Sequence, residues 1–147
     1  MKRLLKIVFC AVLSILMASA PVLASDLDRA KSEMNDIRRQ LALPVLSKNV
    51  ILTKAAQNQA AYLAARNVLS HTAGGNLRSR VRAAGFGGNA GENLGRGQKS
   101  VSQVIIGWMN SPGHRANILN GNFNCFGLAS SPDKNGKPYW VLLLGGC

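Results

Sequence analysis

Histidine and carboxylate are scarce in this chain, and they sit where glycine is frequent. Its 147 residues include 2 histidines and 6 acids. Both histidines and one acid fall in three short polar segments: Ser70-His71, Gly91-Glu92-Asn93-Leu94, and Trp108-Met109-Asn110-Ser111-Pro112-Gly113-His114-Arg115-Ala116-Asn117-Ile118-Leu119. Four of the remaining acids, Asp26, Asp28, Glu33 and Asp36, precede Ile37, and the last is Asp133. His71, Glu92 and His114 are therefore the residues from which a polar site would be built.

Two neutral imidazoles suit zinc, copper or nickel. Glu92 as a third ligand would complete the usual set of three protein ligands plus water. Glu92 could instead hydrogen-bond an imidazole and fix its tautomer. It could also tie three segments together and serve structure alone. A nucleophilic reading needs serine, histidine and acid in one hydrogen-bonded line. Ser70 and Ser111 are the serines nearest the motif histidines in sequence, and the spacing selects neither. Asn93 and Asn117 are expected to hydrogen-bond backbone around the site. Arg115 would bind an anion or a helix-end carbonyl, and Trp108 belongs to the core.

The elements that must position these residues are legible from periodicity. Leu27, Ala30, Met34, Ile37 and Leu41 form one helical stripe, with Ser25 or Asp26 as cap and Pro44 as stop. Asn49 caps a second helix lined by Leu52, Ala56, Ala60 and Leu63, and His71 falls on the loop after it. A short helix covers Leu77 to Ala84 and ends at Gly85, with Arg78 and Arg82 on one face. The glycines from Gly85 to Gly97 mark loop and strand-edge backbone around Glu92. Ser100 caps a helix toward Met109 with Val101, Val104, Ile105 and Trp108 inward. Pro112-Gly113 breaks it before a turn of helix from His114 to Leu119. Phe123 to Ala129 and the apolar run Tyr139 to Leu144 read as strands joined at Asn135-Gly136. A two-residue turn there would place Cys125 opposite residue 146. Helices first and antiparallel strands last indicate an α+β domain.

The start of the chain has another purpose. Lys2, Arg3 and Lys6 precede an apolar run from Ile7 to Ala18, and Val22-Leu23-Ala24 suits a signal peptidase. Residues 1–24 are read as a signal peptide and residues 25–147 as one domain. The protein is then exported, periplasmic or secreted, without a stable transmembrane anchor. Cys125 and Cys147 form an even pair in such a chain, which favours a disulfide over two free buried thiols. The net charge is +12, and Glu92 and Asp133 are the sole acids after Asp36. That balance suits anionic lipid or a cell-envelope polymer as partner, or solubility in an anionic envelope. Aromatic and basic residues are not interleaved, which argues against nucleic acid. The domain is expected to be a monomer.

His71, Gly91-Glu92-Asn93 and Trp108…Gly113-His114-Arg115-Ala116-Asn117-Ile118-Leu119 together resemble the bacterial branch of the CAP superfamily. That superfamily includes the cysteine-rich secretory, antigen 5 and pathogenesis-related-1 proteins. Leu77…Arg80…Ala83-Ala84-Gly85-Phe86 and Tyr139-Trp140 fit as well. The resemblance implies a three-layer α-β-α sandwich with a small central antiparallel sheet. It also implies a cleft at His71, Glu92 and His114, with Asn93, Ser111, Arg115 and Asn117 beside it. Many members carry a second Glu where this chain has Ser111, and some a Gln where it has Leu142. Both departures weaken a metal or catalytic role. Three functions follow as expectations. The first is a non-enzymatic binding module with a zinc or other divalent metal in the cleft, or lipid or envelope polymer on its basic surface. The second is a metal-dependent or serine-type hydrolase of peptides or envelope material. The third is a structural envelope protein whose cleft has no function.

Overall fold

The computed structural model describes residues 24–147. The signal-peptide reading lies outside the described residues. The elements run α1 (Ala24–Gln40), β1 (Ser47–Lys48), α2 (Val50–Arg66), α3 (Leu77–Ala83), β2 (Ala90–Arg96), α4 (Val101–Met109), α5 (Pro112–Ile118), β3 (Cys125–Pro132) and β4 (Pro138–Gly145). The four strands form one sheet in the order β1-β3-β4-β2. Helices cover both of its faces, so the expected α+β sandwich is present.

Strand β4 explains the three layers. Its apolar run buries both faces, as a strand under cover on two sides must. Trp140, Leu142 and Leu144 join Met34 of α1, Val104, Ile105 and Trp108 of α4, and Ile118 of α5. Tyr139, Val141 and Leu143 join Leu52, Ala56, Ala60 and Leu63 of α2 and Val81 of α3. Leu142 is fully buried in the first cluster. The α2 alanines let that helix approach the sheet closely.

Local signals set the helix starts. Asn49 Oδ1 accepts the Leu52 N–H at 2.9 Å, and Ser100 Oγ accepts the Gln103 N–H at 3.2 Å. Each satisfies one orphan donor of a first turn. Helix α1 departs from expectation at both ends. It begins at Ala24, ahead of either proposed cap, and ends at Gln40, well before Pro44. Ala42 is already in the left-handed region at φ 53°. Leu41 therefore leaves the stripe and is half exposed.

The hairpin also differs from the reading. Cys125 faces Gly145, one position short of residue 146. The turn is a three-residue loop with Gly136 at φ +77°, and it closes on the Asp133 N–H to Lys137 O bond at 2.9 Å. This is a type I turn followed by a left-handed residue, the alternative hairpin that Asn-Gly permits. Asp133 selects it, because its Oδ1 accepts from Asn135 N at 2.8 Å and Lys137 N at 3.0 Å. The Lys137 amide first, then the Asn135 amide and Arg96, hold the Asp133 carboxyl below its usual range despite desolvation. A one-residue change of register reverses every side chain, so this aspartate decides which face of the sheet Cys125 occupies. Cys125 and Cys147 are bridged across the open end of the hairpin, with Cα atoms 6.0 Å apart.

Two pairings went unread. β1 lies parallel to β3 through Ser47↔Cys125 and Lys48↔Phe126, making the sheet mixed at one edge. β2 is a full seven-residue edge strand antiparallel to β4. Its glycines hide the alternation that would have identified it.

Candidate functional site

Edge strand β2 carries the centre of the site. Alternation along it sends Glu92, like Leu94, to the α2–α3 side of the sheet and Asn93 to the α4–α5 side. Gly91 sits between because a side chain there has no room. A Cβ would lie 2.9 Å from Phe123 Cε2 and 3.2 Å from Asn117 Oδ1.

Glu92 is buried, its side chain only 2% exposed. Oε1 pairs with His71 Nδ1 at 2.8 Å. Oε2 lies 2.8 Å from Arg80 Nη2, an ion pair outside hydrogen-bonding angles. Arg80 also holds the loop that carries His71. Its Nη2 donates to His71 O at 3.1 Å and its Nε to Gly75 O at 3.0 Å. Gln59 Nε2 donates to Ala73 O at 2.9 Å from the α2 side. One guanidinium thus neutralises the buried acid and fixes the loop around it.

Arg80 is the functional residue that sequence reading missed. It was recognised only as part of a motif, while Arg78 and Arg82 drew notice as a pair. A signal was present. Arg80 follows Leu77 by three residues and adjoins Val81, on the inward side of α3, whereas Arg78 and Arg82 are exposed.

Asn93 and Asn117 zip β2 to α5, as expected of backbone-binding amides. Asn93 is fully buried, and its Nδ2 donates to His114 O at 2.9 Å. Asn117 Nδ2 donates to Asn93 Oδ1 at 2.8 Å and to Glu92 O at 3.2 Å. Trp108 Nε1 donates to Leu94 O at 2.8 Å, which confirms its place in the core. What the zipper holds of His114 is its carbonyl. Among the described residues the His114 ring makes no hydrogen bond. Burial first, and nearby His71 second, push its imidazole below the ordinary value.

The three residues chosen from sequence are therefore joined unequally. His71 and Glu92 are hydrogen-bonded, and His114 stands beside them without a bond to the acid. The expected three-ligand metal set does not fit this arrangement. Among the described residues no three His, Cys, Asp or Glu side chains are placed to hold one metal ion. Glu92 already has a cation against it, and a second would be repelled. The serines do not complete a catalytic line either. Ser70 Oγ accepts from Thr72 N at 3.2 Å and Ala73 N at 3.3 Å, closing its own loop. Ser111 precedes α5 without a side-chain capping bond. Arg115 is exposed and makes no side-chain hydrogen bond or ion pair among the described residues.

Removing the Glu92 charge should expose the ion pair's weight. Glu92→Gln is expected to lose about 2–3 kcal/mol in urea unfolding, because Arg80 keeps its burial and loses its counter-charge. The Glu92→Gln/Arg80→Gln double variant should recover part of that loss. An unchanged midpoint in the single variant would show that the pair contributes nothing.

Comparison with known proteins bears on the fold and the family. Residues 31–144 match the model of the CAP: cysteine-rich secretory protein family. The uncharacterized protein YkwD of Bacillus subtilis (strain 168) is 33% identical over 114 residues. The match covers 75% of this chain and 44% of that protein, so the chain spans under half of its relative's length. An outer surface protein from Borrelia burgdorferi shares the fold at TM-score 0.76 and 24% identity, over 86% of this chain and 96% of that one. An extracellular protein containing a SCP domain from Bacillus anthracis str. Ames does so at TM-score 0.73 and 24% identity, over 82% of this chain and 40% of that one.

Proposed function

This chain belongs to the cysteine-rich secretory protein (CAP) family, and on that premise we propose that it acts outside the cytoplasm as a non-enzymatic module binding anionic envelope material. The observation that carries the reading is the condition of Glu92. A general base or a metal ligand needs a carboxylate oxygen free to act. Here one oxygen is taken by His71 and the other faces Arg80. The cleft then serves to hold its loops in place, and no metal is assigned to it. A hydrolase would need a nucleophile aligned with an imidazole, and Ser70 is occupied by its own loop.

The binding surface follows from charge. Helices α2 and α3 carry Lys54, Arg66, Arg78, Arg80 and Arg82 and no acid of their own, with Arg80 alone neutralised by Glu92, whereas in α1 Asp26, Asp28, Glu33 and Asp36 balance Arg29, Lys31, Arg38 and Arg39. A field divided in this way attracts polyanions to one side of the molecule. Export is read from the basic start and apolar run of residues 1–24. No helix among the described residues is long and apolar enough to cross a membrane.

Co-sedimentation tests the reading. The purified protein is expected to pellet with isolated envelope polysaccharide or with phosphatidylglycerol vesicles at low salt, and not with phosphatidylcholine vesicles. High salt should release it, because the attraction is between exposed charges. Failure to bind any anionic probe would overturn the proposal.

A further inference from the structure

A concavity on the basic layer brings two unpaired guanidinium groups beside a glycine segment. It has a volume of about 510 Å³ and lies between α3 and the segment leading into β2. Arg78, Val81 and Arg82 of α3 line it together with Gly87, Gly88 and Asn89. Arg78 and Arg82 share a face by the four-residue step, where like charges repel. Among the described residues neither guanidinium has a hydrogen-bond or ion-pair partner. The backbone N–H groups of Gly87, Gly88 and Asn89 likewise have no acceptor among the described residues. The sequence from Ile37 to Gly91 contains no carboxylate that could occupy the place.

The glycine segment is held in position. The Gly146 N–H donates to Asn89 O at 3.1 Å, next to the bridged Cys147. A Cβ on Gly88 would collide with Gly146 O, so the segment lies directly on the end of β4. Unpaired amides beside two unpaired guanidinium groups are the donors an anion would use. A phosphate group suits it best, having oxygens for both forks and for the amides together. Among the described residues the exposed large apolar side chains are Leu41, Val45, Val50, Leu69 and Ile106, and none lines the concavity. A surface that dips into a bilayer would carry such residues at the site, and a soluble polymer needs none.

We propose that the concavity formed by Arg78, Arg82 and the Gly87–Asn89 amides binds a phosphodiester group of an anionic envelope polymer. This deepens the binding-module reading and rests on it. The test titrates the purified protein with a soluble glycerol-phosphate oligomer, following amide resonances. Shifts are expected at Gly87, Gly88 and Asn89. Arg78→Gln/Arg82→Gln should weaken binding about tenfold, the effect of losing charge-assisted hydrogen bonds. Lys134→Gln/Lys137→Gln removes equal charge at the distant hairpin and should weaken it less than about threefold, a screened long-range effect. Both pairs are exposed, and unchanged melting temperatures would confirm folding. Equal losses in the two double variants would overturn the site and leave the module reading intact. So would binding to phosphatidylglycerol vesicles without binding to the oligomer. Absence of binding to every anionic probe would overturn both.

Discussion

Gly127→Ala is expected to leave the chain unable to fold. Gly127 lies on β3 with Cys125 and Ala129, facing α2. A methyl group there would fall on the backbone of Leu52 and Thr53, 2.6 Å from Thr53 Cα and nearer still to Thr53 N. The approach is this close because β1 feeds straight into α2. The Asn49 N–H donates to Phe126 O at 2.8 Å, so the first helical turn starts on top of the strand. A flexible side chain could step aside, but a helix backbone can do so only by lifting α2 off the sheet. That would open the cluster of Leu52, Ala56, Ala60 and Leu63. Overpacking usually costs about 1–3 kcal/mol, and separation of a whole layer would approach the 5–10 kcal/mol that stabilises a domain of this size. Circular dichroism and thermal melting of the purified variant would read the outcome. Gly107→Ala is the control. It lies on the exposed face of α4 with nothing near its Cβ position, and should stabilise by about 0.5–1 kcal/mol. Gly127→Ala melting within a few degrees of the parent would refute the argument.

Arg38 should prove the most costly side chain to lose. It is fully buried, and among the described residues no carboxylate pairs with it. Its Nε donates to Pro44 O at 2.6 Å, Nη1 to Ile118 O at 2.6 Å and Asn120 O at 3.1 Å, and Nη2 to Phe123 O at 2.7 Å. Four carbonyls, from the segment between α1 and β1, the end of α5 and the approach to β3, thus share one guanidinium. Burial lowers its pKa, yet an arginine remains charged. Arg38→Met would keep most of the stem and leave the Pro44, Ile118 and Phe123 carbonyls without a donor, while Asn120 O keeps the Phe123 N–H. Each buried unsatisfied group costs about 1–3 kcal/mol, so a total loss of about 4 kcal/mol or more is expected in urea unfolding. Arg38→Lys offers three donors without the fork and should fall between, near 2–3 kcal/mol. A methionine variant as stable as the lysine variant would refute the clamp. The effect should also reach the cleft. Ile118 ends α5, the helix that carries His114 and Asn117, so the Asn117–Glu92 contact should loosen in Arg38→Met.

Both residues show what kind of information the sequence carried. The helices were legible because their causes are local: Asn49 and Ser100 as caps, alanine and leucine at helical steps, Gly85 as a stop. The double-faced β4 was legible for the same reason, since a continuous apolar run has no other stable use beside amphipathic helices. His71, Glu92 and His114 were singled out by scarcity and spacing, and the first two proved to be hydrogen-bonded to each other while the His114 ring has no bond to the acid. The hairpin register was missed by one residue because Asn-Gly serves two turn types, and the choice fell to the Asp133 side chain.

The amino-acid order by itself determined the family, the sandwich of helices on a sheet, the paired cysteines and the excess of positive charge. Tertiary structure alone decided what each polar group faces. A sequence shows that Arg38 and Arg80 are cations, but the acceptor is a matter of distant segments meeting. Arg38 reaches across 80 and 85 positions to backbone carbonyls that every residue possesses. Arg80 turns inward onto Glu92, while Arg78 and Arg82, on the same short helix, keep their charges free. The difference between a stabilised cleft and an available anion site is therefore one of direction on a seven-residue helix, and direction is settled only when the layers pack.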